Sequence, residues 1–155
     1  MNRVYYIYDS GFGKIIIESD GSAITCVKTE KNAEPSGKRE ADALTDKAAA
    51  QLNEYFSGKR KCFDIPLNPD GTTFQNSVWK SLCEIPYGET RSYKQIAEAT
   101  GNPKACRAVG MANNRNPIWI MIPCHRVIAS NGALTGYGGG LIMKQRLLDL
   151  EKQNK

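Results

Sequence analysis

The sequence predicts an α+β fold in two parts. A small strand-rich α/β layer, residues 1–70, precedes a mostly helical domain, residues 71–155, that contains a helix-turn-helix. Three observations carry this. The chain opens with β-branched and aromatic runs bounded by Gly, Asp and Ser, which is strand chemistry. Beyond residue 72, apolar residues recur at helical spacing behind Ser and Thr caps. Between the two lies "NPDGT" (68–72), a dense turn signal that marks the boundary.

Taken in order, "RVYYIYDS" (3–10), "GKIIIES" (13–19) and "SAITCVKTE" (22–30) read as three strands. The polar "KNAEPSGKRE" (31–40) reads as a loop. "ADALTDKAAAQLNEYFSG" (41–58) reads as a helix: Ala41, Leu44, Ala48, Leu52 and Tyr55 share a face, and Gly58 stands where a helix stops. "CFDIPL" (62–67) reads as a short last strand. In the second half, Phe74, Val78 and Leu82 repeat every four residues behind a Thr cap. "PYGETR" (86–91) breaks that helix. "SYKQIAEAT" (92–100), capped by Ser92, and "KACRAVGMANN" (104–114) are short helices separated by a Gly-containing turn, the helix-turn-helix pattern.

Charge separates the halves. Residues 1–71 carry 10 basic and 11 acidic side chains, whereas residues 72–155 carry 11 basic and 5 acidic. A basic second half with Arg91, Lys94, Lys104, Arg107 and Arg115 around the two short helices suggests a polyanion, nucleic acid first. Ala105, Ala108, Gly110 and Ala112 make the second short helix slim. That suits close approach to a groove, and equally to another helix. No apolar run approaches the roughly 18–20 residues of a membrane span, and the N-terminus lacks signal-peptide chemistry. A cytoplasmic protein is expected, with no membrane partner. The five cysteines are odd in number and widely spaced, and there is one His, so neither a disulfide scaffold nor a metal site is expected.

"MIPCHRVIAS" (121–130) sets Cys124 beside that single histidine, His125. A cysteine reacts as thiolate and needs a base to take its proton. Adjacent side chains rarely face each other, however, and a Cys beside a His is more commonly a structural pair. These residues alone leave open a reactive thiol, a structural one, a thiol hydrolase or a helix-turn-helix regulator.

The blocks "TFQNSVWKSLCEIPYGETRSYKQIA" (73–97), "GNPKACRAVGMANNRNP" (101–117), "IPCHRVIASNGALTGYGGG" (122–140) and "KQRLLDLE" (144–151) occur in that order. Together they resemble the methylated-DNA–protein-cysteine methyltransferases, the O6-alkylguanine-DNA alkyltransferase family. The first half matches in general layout only, as a ribonuclease-H-like layer. The resemblance implies direct repair of DNA: an alkyl group, mainly methyl, moves from O6 of guanine to the protein's own cysteine, irreversibly and once per molecule. Cys124 stands at the acceptor position. His125 stands at the base that works through a water, and Glu151 at the residue that orients it. Asn116 matches an Asn that braces the turn. Arg107 matches the side chain that fills the gap left by the flipped nucleotide. Tyr93 matches a Tyr that turns the phosphate and hydrogen-bonds the leaving base.

Gln75, Lys94, Asn102 and Ser130 align with contacts to the DNA backbone, and the slim helix with insertion in the minor groove. Val127, Tyr137, Gly138, Trp119 and Thr135 align with the base pocket; the carbonyls of Cys124 and Val127 would accept from the guanine amine. Gly138 replaces a Ser of many relatives. Trp119 and Thr135 replace smaller or ring-constrained residues, which implies a tight pocket that prefers methyl. Arg126 is expected as a buried ion-pair partner. The resemblance implies double-stranded DNA as partner, a monomer and no cofactor; a zinc held by the first half in some relatives is not expected, since that half has no His.

Overall fold

The computed structural model describes residues 2–155. The chain divides into two compact units: one holds the chain up to Asp70 together with Pro117–Trp119, the other Gly71–Asn116 and Ile120–Lys155. No helix among the described residues is long and apolar enough to cross a membrane.

In the first unit, β1 (Val4–Ser10), β2 (Gly13–Ser19) and β3 (Ile24–Thr29) form an antiparallel meander. β4 (Lys38–Arg39) adds to β1 in parallel, so the order is β3-β2-β1-β4. The central β2 is buried from Ile15 to Ser19. A strand covered on both faces reads as a continuous apolar run, here "III". Helix α1 (Ala43–Phe56) lies against β1 and β2 and brings in Ala48, Leu52 and Tyr55. Asp42 and Thr45 close a reciprocal capping box at its start. At its end Gly58 (φ 77) donates to Tyr55 and Lys59 to Glu54, the pattern that a left-handed residue after the last turn allows.

Two expectations for this unit are corrected. The polar stretch 31–40 is not all loop: it ends in β4, held by Lys38 N–H to the Arg3 carbonyl (3.0 Å) and Glu40 N–H to the Tyr5 carbonyl (2.9 Å). The pairing uses only backbone, so side-chain pattern did not announce it. It also depends on Gly37, where a Cβ would stand 1.9 Å from the Arg3 oxygen. Conversely, "CFDIPL" is not a strand. It makes a single bridge between Ile24 and Leu67. Pro66 has no N–H to extend a ladder, and the Asp64 N–H is taken by Gln51 Oε1 at 3.0 Å.

In the second unit, α2 (Thr73–Cys83) begins at a Thr72–Gln75 capping box and α3 (Tyr93–Ala99) at a Ser92–Gln95 box. α3 and α4 (Cys106–Asn114) are the helix-turn-helix, with Gly101 (φ 81) in the turn. Trp79 Nε1 donates to the Ala112 carbonyl at 2.9 Å and ties α2 to α4 over a core of Val78, Leu82, Ile96, Ala97 and Val109. The two-residue strands β5 (Arg91–Ser92) and β6 (Val127–Ile128) pair in parallel. A last helix, α5 (Leu141–Gln153), buries Met143, Lys144, Leu147 and Glu151.

Candidate active site

The site is organised by one turn. The chain enters it through Ile120, whose φ of 74° is a strained value for a β-branched residue. Pro123 (φ −80°, ψ 63°) then forms an inverse γ-turn, in which Cys124 N–H donates to the Ile122 carbonyl at 2.8 Å. Cys124–Arg126 continue as a single 3₁₀ turn closed by Arg126 N–H to the Pro123 carbonyl at 3.0 Å. Proline presets φ, so the sharp bend is written locally in "IPCHR". Pairing of β6 with β5 brings the N-terminus of α3 beside this turn.

Helix α5 supplies the partners of the turn from one face. Lys144 and Glu151 are seven residues apart, two helical turns, and both are fully buried. Glu151 Oε2 lies 2.6 Å from His125 Nε2. The same carboxylate accepts from Arg126 Nε (2.8 Å) and Nη2 (3.0 Å) and from Gly88 N–H (3.1 Å). Arg126 also donates to the Ile85 carbonyl and stacks over Tyr87; it is the buried ion-pair partner expected of it. Burial works against the Glu151 charge, but the hydrogen bonds from His125 and Arg126 and the Arg126 charge outweigh it and hold the carboxyl down at about 2. Burial pushes His125 below its ordinary value, the charges of Arg126 and Lys144 add to that, and Glu151 pulls the other way. The ring is therefore neutral at neutral pH and able to accept a proton.

Cys124 is 2 % exposed. Burial pushes its thiol up to about 11, against a hydrogen bond from the Asn116 side chain and the charge of Lys144. It rests as a thiol, so reaction requires a base. Asn116 is itself buried and donates from Nδ2 to the Ile122 carbonyl at 2.9 Å, which braces the turn. Lys144 Nζ donates to the carbonyls of Val127 (2.6 Å) and Thr135 (2.7 Å). Tyr93 Oη also donates to the Thr135 carbonyl, at 3.1 Å, and accepts from Thr135 Oγ1. Tyr137 is buried, and burial with Cys124 nearby raises its hydroxyl well above the ordinary value. Gly138 is exposed at the far end of the same loop. Cys124, His125, Glu151, Asn116, Tyr93, Val127, Thr135 and Tyr137 are thus gathered around one turn. Trp119 is not gathered with them by any of these bonds. It is buried, and its N–H donates to the Val27 carbonyl of the first unit at 2.9 Å.

Helix α4 turns Val109, Ala112 and Asn113 inward and exposes Arg107, Ala108, Met111, Asn114 and Arg115 along one face. Lys94, Asn102 and Ser130 are exposed as well. Gln75 is half-buried and its Oε1 accepts from Thr72 N–H in the cap of α2, so its side chain already has a structural task. Two residues were missed by the sequence reading, Lys144 and Asn113. The signal for Lys144 was its spacing of seven from Glu151 in "KQRLLDLE"; Asn113, with Nδ2 3.3 Å from the Cys124 carbonyl, had none.

The 6-O-methylguanine DNA methyltransferase family matches the chain in two parts. Its ribonuclease-like domain covers residues 3–69 and its DNA binding domain residues 73–153. A methylated-DNA–protein-cysteine methyltransferase of Methanosarcina barkeri is 53% identical over 154 residues, 97% of this chain and 98% of that protein. The O6-methylguanine methyltransferase of Mycobacterium tuberculosis superposes with a TM-score of 0.91 at 47% identity, over 99% of this chain and 94% of the other. A structure of the Mycobacterium tuberculosis OGT in complex with DNA superposes with a TM-score of 0.92 at 46% identity, over 97% and 94%.

Proposed function

The chain belongs to the 6-O-methylguanine DNA methyltransferase family, and from that premise we propose that it repairs DNA directly, moving an alkyl group from O6 of guanine to its own Cys124. The observation that carries this reading is the buried Cys124–His125–Glu151 arrangement, in which the carboxylate holds the ring at 2.6 Å and the thiol is next in the chain. Neutral His125 takes the thiol proton through a water, and the imidazolium is stabilised by Glu151 on its other side. The thiolate sulfur attacks the alkyl carbon in line; the new S–C bond forms as the C–O6 bond breaks. The proton lost by sulfur ends on the departing guanine, with the Tyr93 hydroxyl placed to assist. The thioether product is not hydrolysed, so each molecule acts once.

A base in the duplex is out of reach of a buried thiol, so the nucleotide is flipped. The exposed face of α4, with Arg107, Ala108 and Arg115 on it, supports insertion in the minor groove, with Arg107 filling the vacated stack and Lys94, Asn102, Ser130 and Gln75 against the backbone. The second domain, residues 71–155, carries this chemistry. Thr135 narrows the pocket in favour of methyl. The reading is completed by a cytoplasmic monomer: one thiol serves one lesion.

The test is peptide mass spectrometry after incubation with duplex DNA containing O6-methylguanine. One added methylene group on Cys124, and on no other cysteine, is expected. An adduct on Cys26, Cys62, Cys83 or Cys106, or none at all, overturns the assignment. Arg107→Ala is expected to slow transfer from duplex DNA by roughly 10- to 100-fold, because extrusion costs a few kcal/mol. Its rate on the free base O6-methylguanine should match the parent, since no duplex has to be opened; radiolabelled methyl transfer measures both.

A further inference from the structure

The exposed face of α4 carries one large apolar side chain, Met111, which is 58% exposed while Val109, Ala112 and Asn113 are buried on the opposite side. At 3.6 residues per turn, Arg107, Met111 and Arg115 form one stripe, with Ala108 and Asn114 flanking it, so Met111 stands in the middle of that face. Toward α2 it borders a shallow depression of about 200 Å³, together with Phe74, Gln75, Ala108 and Arg115. A flexible, polarisable side chain of this kind adapts to an irregular partner surface. A cation at each end of the stripe draws a polyanion onto the face, and the surface met by its centre is then the floor of a groove between phosphate rows.

The chemistry of that floor decides what Met111 does. In the minor groove every pair shows acceptors, and a G·C pair adds a donor, the 2-amino group of guanine. A thioether is a weak acceptor, and the methylenes beside it accept nothing. A 2-amino group covered by Met111 therefore loses its water and gains no partner, which costs as an unmade hydrogen bond does. We propose that Met111 is a specificity-determining residue: it makes repair depend on the base pairs beside the lesion and favours those without a minor-groove amino group. This rests on the reading in which α4 enters the minor groove with Arg107 in the vacated stack. Four residues of helix rise about 6 Å and a base step about 3.4 Å, so the pairs concerned are the first and second from the lesion.

The experiment measures single-turnover transfer from duplexes in which O6-methylguanine is flanked by A·T pairs. One adenine at a time, first or second from the lesion on either side, is then replaced by 2,6-diaminopurine, which places a 2-amino group in the minor groove. The added group also strengthens the pair, so wild-type protein is compared with Met111→Ala on the same set. At one or two of these positions the amino group is expected to slow wild-type protein about tenfold more than Met111→Ala. Met111→Leu, also apolar, should keep the preference. Each preference is a ratio of rates within one protein, so a change in folded fraction cancels. Equal slowing of wild-type protein and Met111→Ala at all positions, or no slowing of either, overturns the proposal. Failure of wild-type protein to accept methyl from the A·T-flanked duplex would instead overturn the function itself. An Arg107→Ala rate on duplex equal to the parent's would overturn the minor-groove placement of α4.

Discussion

Cys124→Ala is expected to abolish methyl transfer, by at least about a thousandfold, while duplex affinity changes little. Activity falls this far because a covalent acceptor has no substitute. The other four cysteines are poor candidates. None of them adjoins His125, the chain's only histidine, which directly follows Cys124. Affinity should survive because the residues proposed to contact the phosphates, Lys94, Asn102 and Ser130, are exposed and are not touched by this substitution. A thiol-to-methyl exchange in a buried turn removes one atom, at a cost of about 1 kcal/mol. Radiolabelled transfer and fluorescence anisotropy with an unmodified duplex check the two halves of the claim. Residual transfer above the background of a cysteine-free control would place the acceptor elsewhere.

Glu151→Ala is expected to produce the largest loss of stability of any single substitution in the site. The carboxylate takes two bonds from Arg126, one from the Gly88 N–H and the 2.6 Å contact with His125, all out of water. Removing it strands the Arg126 charge, and breaking a buried pair in this way costs about 3–5 kcal/mol. For a chain of this length that is roughly 10 °C in Tm. Transfer should fall by about a hundredfold or more in the protein that remains folded, because His125 loses the group that orients it and stabilises its protonated form.

The pH dependence has a definite sign. Glu151 is held at about 2 in the folded chain against an ordinary 4.5. A depressed acid stabilises fully above its ordinary value and loses that contribution as pH falls through the folded one. Wild-type protein should therefore shed roughly 3 kcal/mol between about pH 4.5 and pH 2, and Glu151→Ala should lack that part of the acid transition. Parallel thermal melts across that range decide it; identical acid profiles would mean that Glu151 contributes no such stability.

What was legible in the sequence was local. The Thr72 and Ser92 caps and the Gly101 turn each lie within a few residues, and local chemistry is enough to build them. The acceptor block was recognisable only through the resemblance of its sequence to a family, since Cys124 beside His125 by itself left a structural thiol open. The misread segments were those whose backbone bonds go to distant partners. β4 exists because Arg3 and Tyr5 offer their carbonyls, and "CFDIPL" fails as a strand because Pro66 and Gln51 interrupt its ladder.

The sequence by itself determined the family, the helix-turn-helix, the basic second half and the identity of the thiol beside its histidine. Only the tertiary structure decided what surrounds that thiol. It brought Lys144 under two carbonyls and turned the Asn113 amide nitrogen onto the Cys124 carbonyl. It also gave Glu151 both His125 and Arg126 to hold. The physical reason is that protonation states and acceptor geometry depend on desolvation and on partners 11 to 26 residues away, and neither distance nor burial is written in the order of residues.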